Sequence, residues 1–535
     1  MLAHLIAKHK LAALILIVAL GFGLRVRGLG SAGFNEDEVH KVEAARSYLR
    51  GGFSVNLEHP MLMKSLIAVS LAASDVWNRG IGRSHQVPEE ASVRLPNVIF
   101  GSLTAIVVFL LAQELFGTAV GLLSALFWAT GIIAITINRV AKEDTLLVFF
   151  TWLGYYLYRR ARNVSTTDSK LTTRFYAASG ASFGLMLASK YFPHYLGIHA
   201  LYYWLTDRGK LRRPLGKRNI LLFLGTCAAA FLLLDPVILL PSTLNHMVHY
   251  VGGSSITHHG YLVMGHLYRE DLGGTGGMPR YFYLLLLVIK TPIPVLAGLL
   301  VGLVEIWKRR RDPAASFVIF MFAAWIIPFS LVGGKWMRYM LAWMPSVYII
   351  AAIGLVRILS WLTAMARWRM SPRLTPALAA AFMSVFIVYP VGVAANSGPY
   401  YSLYLNSLGF GHTGYYFPHD EVNDMGLQRA VQYIAQEAPL GASVGSEAKP
   451  VFQYYLHKYG RDDLQYFDLS DSSKRLSALD SAFLVLQDGR TYFENIGIVR
   501  TIESRQLPIR TVEIGGAEAA RIYHRAEVAQ LRRIR

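Results

Sequence analysis

The sequence predicts a polytopic α-helical membrane protein, with about eleven transmembrane helices and a small extracytoplasmic α/β domain at its C-terminus. Three observations carry this expectation. The 535 residues are 53% hydrophobic and only 16% charged, whereas soluble domains average roughly a quarter charged residues. Apolar runs of the ~20 residues needed to cross ~30 Å of hydrocarbon recur along the chain. From Asn396 onward the pattern turns polar and mixed.

The N-terminal stretch "MLAHLIAKHKLAALILIVALGFGLRVRGLG" carries a signal-like apolar core, but the core is long and no A-x-A-like cleavage site follows. It reads as a retained first helix. Spans are expected at 10–28, 92–116, 118–137, 145–160, 174–189, 191–206, 219–240, 281–303, 314–332, 339–360 and 374–395. Alternate loops are basic: "YRRARNVSTTDSKLTTR", "TDRGKLRRPLGKR", "WKRRRDPAAS" and "MARWRMSPRL", with Lys8 and Lys10 at the start. The positive-inside rule puts these in the cytoplasm. Residues 33–91, 241–280 and 396–535 are then expected on the opposite face of the cell membrane. The chain divides into a transmembrane module, 1–395, and an extracytoplasmic domain, 396–535.

The net charge of +19 sits largely in those short loops. There it sets orientation, and no nucleic-acid partner is expected. Cys227 is the only cysteine, so no intrachain disulfide can form. In the C-terminal part, "NDMGLQRAVQYIAQEAPLG" has helical spacing, while "ASVGS", "SAFLVLQ" and "IRTVEIGGAEAARIYH" read as strands. This part holds no catalytic motif, and "IGGAEAA" lacks the strand–helix context of a phosphate loop.

The first loop holds the most chemistry. "NEDEVHKVEAARSYLR" has helical character with Val39, Val42, Ala45 and Leu49 near one face, and is expected to lie along the membrane surface. Glu36, Asp37 and Glu38 fit two readings. In one they are a solvated acidic cap favoured by the helix dipole. In the other, their mutual repulsion in a partly dry site raises at least one pKa, as a general base needs.

"DEVH" at 37–40 followed by "HPMLMK" at 59–64 resembles the first external loop of the protein O-mannosyltransferases, where DEVH precedes HPPLGK. "RLPNVIFGSLTAIVVFLLAQELFG", "NRVAKEDTLLVFF" and "GASFGLMLASKYF" resemble the same family in the same order over roughly the first 200 residues. "HHGYLVMGHLYRE", "PRYFYLLLLVIKTPIPVLAG" and "GGKWMRYMLAWMPSVYIIAA" resemble the wider bacterial relatives, including aminoarabinose transferases of lipid A. The resemblance implies a glycosyltransferase of GT-C type. Its donor is a polyprenyl-phosphate-linked sugar, mannose or another hexose, with its lipid in the membrane. The acceptor it implies is a protein Ser/Thr hydroxyl, or alternatively a lipid or cell-envelope glycan.

Such transfer inverts the anomeric carbon. One carboxylate suffices as base. The leaving phosphate is already a good anion, so no acid is needed, unlike glycoside hydrolysis; what it needs is a cation. The resemblance then assigns Asp37 as base and Glu38 as the residue that orients the acceptor or Asp37; Glu36 has no counterpart. Arg139, at the end of the third span, is the first choice for the phosphate, with Lys335 and Arg338 after it. The alternative for each is a cation that snorkels to headgroups. Lys290 falls ten residues after Arg280, within an expected span. A helix broken at Pro292 and Pro294 could hold its ammonium with freed carbonyls, and a buried ammonium marks function. His40, His59 and Lys64 lie in the matched motifs as support. Asp144 is either an N-cap or, by the resemblance, the partner that orients Arg139; Lys190 and Asp235 are donor-site or packing residues.

His246, His249, His258, His259 and His266 gather in 241–280 without an acidic or cysteine partner at ligand spacing. They read as a polar loop covering the site. The resemblance leaves a divalent metal open, and no metal ligand or other cofactor is assigned. A transporter rests only on the number of spans, since transporters place charges near the midplane. A non-catalytic scaffold leaves the carboxylates unexplained.

Overall fold

The computed structural model describes residues 2–82, 85–164, 169–207, 216–251, 260–269, 274–369 and 374–524. The N-terminal half runs α1 (Leu2–Val26), α2 (Glu36–Leu49), α3 (Met61–Gly80), α4 (Glu89–Phe116), α5 (Thr118–Thr130), α6 (Ile132–Asn138), α7 (Asp144–Val164), α8 (Ser169–Ser189), α9 (His194–Asp207) and α10 (Lys217–Leu234). There follow α11 (Pro241–Val251), a hairpin of β1 (Tyr261–Val263) and β2 (His266–Tyr268), then α12 (Phe282–Lys290), α13 (Ile293–Lys308), α14 (Pro313–Leu331), α15 (Met344–Arg369) and α16 (Leu374–Ser397).

Each expected span falls on a helix or on two helices in tandem. Among the described residues, α1, α4, α10, α14, α15 and α16 are long and apolar enough to cross a membrane. The pair α5–α6, bent by 55° at Gly131, makes a seventh. Close packing of α13 on α15 depends on glycine: a Cβ on Gly302 would stand 1.9 Å from the Ile350 carbonyl oxygen, and one on Gly354 1.9 Å from that of Gly298.

Two expectations for the first loop are corrected. α3 was not anticipated, because Lys64, Asp75 and Arg79 interrupt its apolar pattern. α2 buries more than the expected face: Glu38, Lys41 and Ala44 are buried as well as Val39, Val42 and Ala45, which leaves His40 and Glu43 on the open side. Leu49, expected on the buried side, is exposed.

The expected break after Lys290 is present, with Pro292 between α12 and α13. Its freed carbonyls are taken by Asn406 rather than by Lys290. Asn406 N donates to Ile289 O at 2.8 Å, and its Nδ2 donates to Val288 O at 2.6 Å and Thr291 O at 2.7 Å.

After α16, α17 (Pro418–Glu421) and α18 (Leu427–Glu437) lead into an α/β unit. It comprises β3 (Ser443–Ser446), α19 (Lys449–Lys458), β4 (Gln465–Asp468), α20 (Arg475–Leu479), β5 (Phe483–Leu486), α21 (Ile496–Arg505), β6 (Arg510–Ile514) and β7 (Ala517–His524). The sheet order is β4-β3-β5-β7-β6. β3 pairs in parallel with β4 and β5, as helical crossovers require. β6 and β7 form a hairpin whose turn places Gly515 and Gly516 at φ +57° and +82°, a conformation suited to glycine. The expected helix is α18, and the expected strands fall on β3, β5 and the β6–β7 hairpin; β4, α19, α20 and α21 were not anticipated.

Candidate active site

α2 starts at Asn35, whose side chain accepts from Glu38 N at 3.0 Å while Glu38 Oε2 accepts from Asn35 N at 3.2 Å. This is a capping box, and the N-x-x-E pattern of "NEDE" encodes it. Successive helical residues point about 100° apart. The three carboxylates therefore leave the turn in different directions and meet three different cations. Glu36 accepts from Arg490 Nη1 at 2.8 Å, Asp37 pairs with Lys142, and Glu38 accepts from Arg94 Nε at 2.8 Å and Nη2 at 2.7 Å.

The expectation that mutual repulsion raises a pKa is thereby overturned. Burial pushes Asp37 up, but Lys142, Arg338 and Lys41 outweigh it and hold its carboxyl well below the usual range. Its side chain remains 45% exposed. Glu38, expected to orient the acceptor or Asp37, is engaged within the fold. It is fully buried, and Ala141 N also donates to it at 2.9 Å, so it fastens α2 to α4 and to the segment carrying Lys142.

Around Asp37 lies a charged shell. Lys41 and Glu143 pair at 2.6 Å, each 1% exposed. His59 Nδ1 is 3.5 Å from Glu143; burial, helped by Lys41 and Lys142, holds it neutral despite Glu143. Lys64 donates to Asn56 O at 2.6 Å and His59 O at 2.8 Å, pinning the turn before α3. Lys190 donates to Asp144 at 3.0 Å beneath the rings of Phe192 and Tyr339. The expected partnership of Asp144 with Arg139 is therefore corrected to Lys190. His40 is 41% exposed and 3.7 Å from Glu43 on the surface of α2, so it does not join the shell. Asp235 accepts from Met61 N at 3.0 Å and Tyr191 Oη at 2.7 Å, a packing role.

Three of the four expected phosphate ligands are committed elsewhere. Arg139 donates to the carbonyls of Arg25 at 2.5 Å, Arg27 at 2.8 Å and Gly28 at 2.9 Å, closing the C-terminus of α1. Arg25 in return closes α5, donating to Trp128 O at 3.1 Å and Ala129 O at 3.0 Å. Lys335 donates to Met278 O at 3.1 Å and to Val332 O. Lys290 donates to Glu421 at 2.9 Å and to Ser402 O at 2.7 Å, so it meets residues that follow α16 rather than a lipid phosphate. Arg338 is different. Its Nε is buried without a hydrogen-bond partner among the described residues, its guanidinium stacks over Trp336 at 5.0 Å and Tyr339 at 5.5 Å, and its charge acts on Asp37.

The sequence reading missed Lys41, Arg94, Lys142, Glu143 and Arg490. "AKED" did display two further charges beside Asp144, a signal that was available; Arg490 had none. It also missed Asp420, which accepts from Met337 N at 3.0 Å and is pushed up to about 6 by burial. A cavity beside Glu38, lined also by Arg94, Arg139, Asp420 and Asp424, does not include Asp37. Among the described residues no three His, Cys, Asp or Glu side chains gather as metal ligands. His246 is 3.2 Å from Glu58, His249 is 2.7 Å from the Asn245 carbonyl, and His266 meets Tyr268 edge-on at 4.6 Å. His258 and His259 lie outside the described residues.

A helical bundle bearing this charged shell, with an α/β unit after its last helix, is similar over nearly its whole length to ArnT from Cupriavidus metallidurans. In the apo state the identity is 14%, the match covers 97% of this chain and 99% of that one, and the TM-score is 0.55. In the crystal structure bound to undecaprenyl phosphate the identity is 15%, the coverage 95% and 97%, and the TM-score 0.53. Residues 85–239 match the sequence model of the dolichyl-phosphate-mannose-protein mannosyltransferase family. No curated protein matches the chain. At 14–15% identity the likeness to ArnT is one of fold, and the family match is confined to residues 85–239.

Proposed function

We propose that the chain is a polyprenyl-phosphate-dependent glycosyltransferase of the cell membrane. It crosses the membrane about eleven times, with its N-terminus in the cytoplasm and the residues around Asp37 and the C-terminal domain, 396–535, on the other face. It moves mannose or another hexose to an acceptor hydroxyl with inversion, and the acceptor is a protein Ser/Thr side chain. The observation that carries the reading is the half-exposed, ionised Asp37 within the field of Arg338, whose Nε has no hydrogen-bond partner among the described residues.

The donor phosphate docks on Arg338, whose fork suits a phosphate, with Lys142 beside it. At rest Asp37 is too acidic to be a strong base. A phosphate draws on the same two cations, weakens their hold, and lets the carboxylate rise towards the range in which it takes a proton. The acceptor oxygen attacks the anomeric carbon and gives its proton to Asp37. The bond from that carbon to the phosphate oxygen breaks, and polyprenyl phosphate leaves as an anion held by Arg338.

The match of 85–239 to a mannosyltransferase family and the fold shared with an undecaprenyl-phosphate-bound protein support the donor class. A second reading, transfer to a lipid or envelope glycan, is supported by a likeness that runs through 99% of the ArnT chain. Purified protein with radiolabelled polyprenyl-phosphate mannose, a Ser/Thr peptide and, separately, a lipid acceptor tests both. Transfer that Asp37→Asn abolishes is expected. Full activity in that variant removes the base assignment, and no transfer to any acceptor removes the enzyme class.

A further inference from the structure

The residues just ahead of Asp37 are held from the far end of the chain. Arg490 follows β5 and is 6% exposed. Its Nε and Nη2 grip Asp424 at 2.9 Å and 2.6 Å, and its Nη1 reaches Glu36 at 2.8 Å. Asp424, 1% exposed, also accepts from Glu36 N at 3.1 Å. That amide is one of the donors the first helical turn leaves without an intrahelical partner. Two residues earlier, Phe34 N donates to Tyr455 Oη at 2.7 Å, and Tyr455 Oη bonds Glu90 at 3.1 Å.

Docking the α/β unit onto the bundle does not require seizing a backbone amide of α2. These contacts do so on both sides of Asn35 and directly before Asp37, in a place where burial leaves the charges little screened. The groups that face Asp37 come from three elements: Lys41 from α2, Lys142 from the segment between α6 and α7, and Arg338 from the turn Met337–Ala342. The distances of Lys142 and Arg338 to Asp37 depend on where the first turn of α2 sits.

We propose that Arg490 is a positioning residue for Asp37. Through Glu36 and Asp424, the C-terminal α/β unit sets the seat of the first turn of α2 and so the reach of Asp37 to Lys142 and Arg338. The proposal rests on the reading of Asp37 as base.

Full-length Arg490→Ala, Arg490→Lys and Glu36→Gln variants test it by two readouts, amide hydrogen exchange across 34–40 and the pH profile of kcat/KM. In Arg490→Ala, exchange at 36–39 should quicken by about tenfold or more and kcat/KM fall by about tenfold to a hundredfold. The acid limb should move to higher pH, since Asp37 loses its cations. Arg490→Lys should recover part of this, and Glu36→Gln should shift both readouts in the same direction by less. Lower thermal stability with exchange at 36–39 and the acid limb both unchanged would overturn the proposal. If Arg490→Ala does not fold, Glu36→Gln decides by the same readouts. If the wild type transfers no sugar, the proposed function fails, and the exchange arm still decides whether Arg490 holds the turn.

Discussion

Arg94 and Glu38 face each other through two hydrogen bonds, at 2.8 Å and 2.7 Å, with both side chains withdrawn from solvent. Removing one partner of such a pair leaves a buried charge and costs ~3–5 kcal/mol. Arg94→Ala should therefore lower thermal stability in detergent severely. Arg94→Lys should recover little, because an ammonium cannot reproduce the fork. Arg94→Met with Glu38→Gln should cost less than the two single changes summed.

Arg139 and Arg338 should separate cleanly. Arg139→Ala strips hydrogen bonds from three carbonyls ending α1. Bonds from charged donors are worth roughly 1.5–3 kcal/mol each, so the melting temperature should fall while the donor KM of the surviving protein holds. Arg338→Ala should raise the donor KM about tenfold or more and lower the melting temperature less than Arg139→Ala does. A reversal of the pattern would return Arg139 to the phosphate.

Asp37→Asn should lower kcat by about 10²- to 10⁴-fold. The folded carboxyl lies well below its ordinary value, so its ion pair stabilises the fold above the unfolded pKa of ~3.9. That contribution fades only as pH falls through the folded pKa, and Asp37→Asn should lack this acid sensitivity. The acid limb of kcat should lie at higher pH than that of kcat/KM, because bound phosphate offsets Lys142 and Arg338. Coincident limbs would refute substrate-assisted tuning.

Lys290 and Glu421, at 1% and 0% side-chain exposure, form a second buried pair. Lys290→Met alone should cost ~3–5 kcal/mol, and joining it with Glu421→Leu should restore much of the loss. Denaturation of the four proteins of that cycle measures the coupling.

Glu447 is pushed up to about 7, chiefly by burial, and its Oε2 has no hydrogen-bond partner among the described residues. A raised carboxyl binds a proton in the fold that the unfolded chain releases. Stability therefore falls as pH rises from about 4.3 towards 7. Glu447→Gln should raise the melting temperature by about 2 °C at about pH 8 and change it little at about pH 5.

The helices were legible because apolar runs of span length leave few alternatives. α3 was not, since its charges are hidden by packing rather than absent. The motif around Asp37 singled out a residue that the structure surrounds with Lys142, Arg338 and Lys41. The carbonyls that Arg139 meets were not legible, because a cation at a span end looks alike in sequence whether it meets a phosphate or carbonyls; only the fold brings the end of α1 beside it. Arg490 lies 66 and 454 residues from its partners Asp424 and Glu36, and no local pattern reports such pairs.

Asn406 sits 115 residues beyond Thr291, the last of the carbonyls it satisfies. During synthesis α12 and α13 leave the ribosome well before the side chain that completes them. The bundle therefore waits with an open seam until the segment following α16 arrives, and a chain released before that point ends with its interior unfinished.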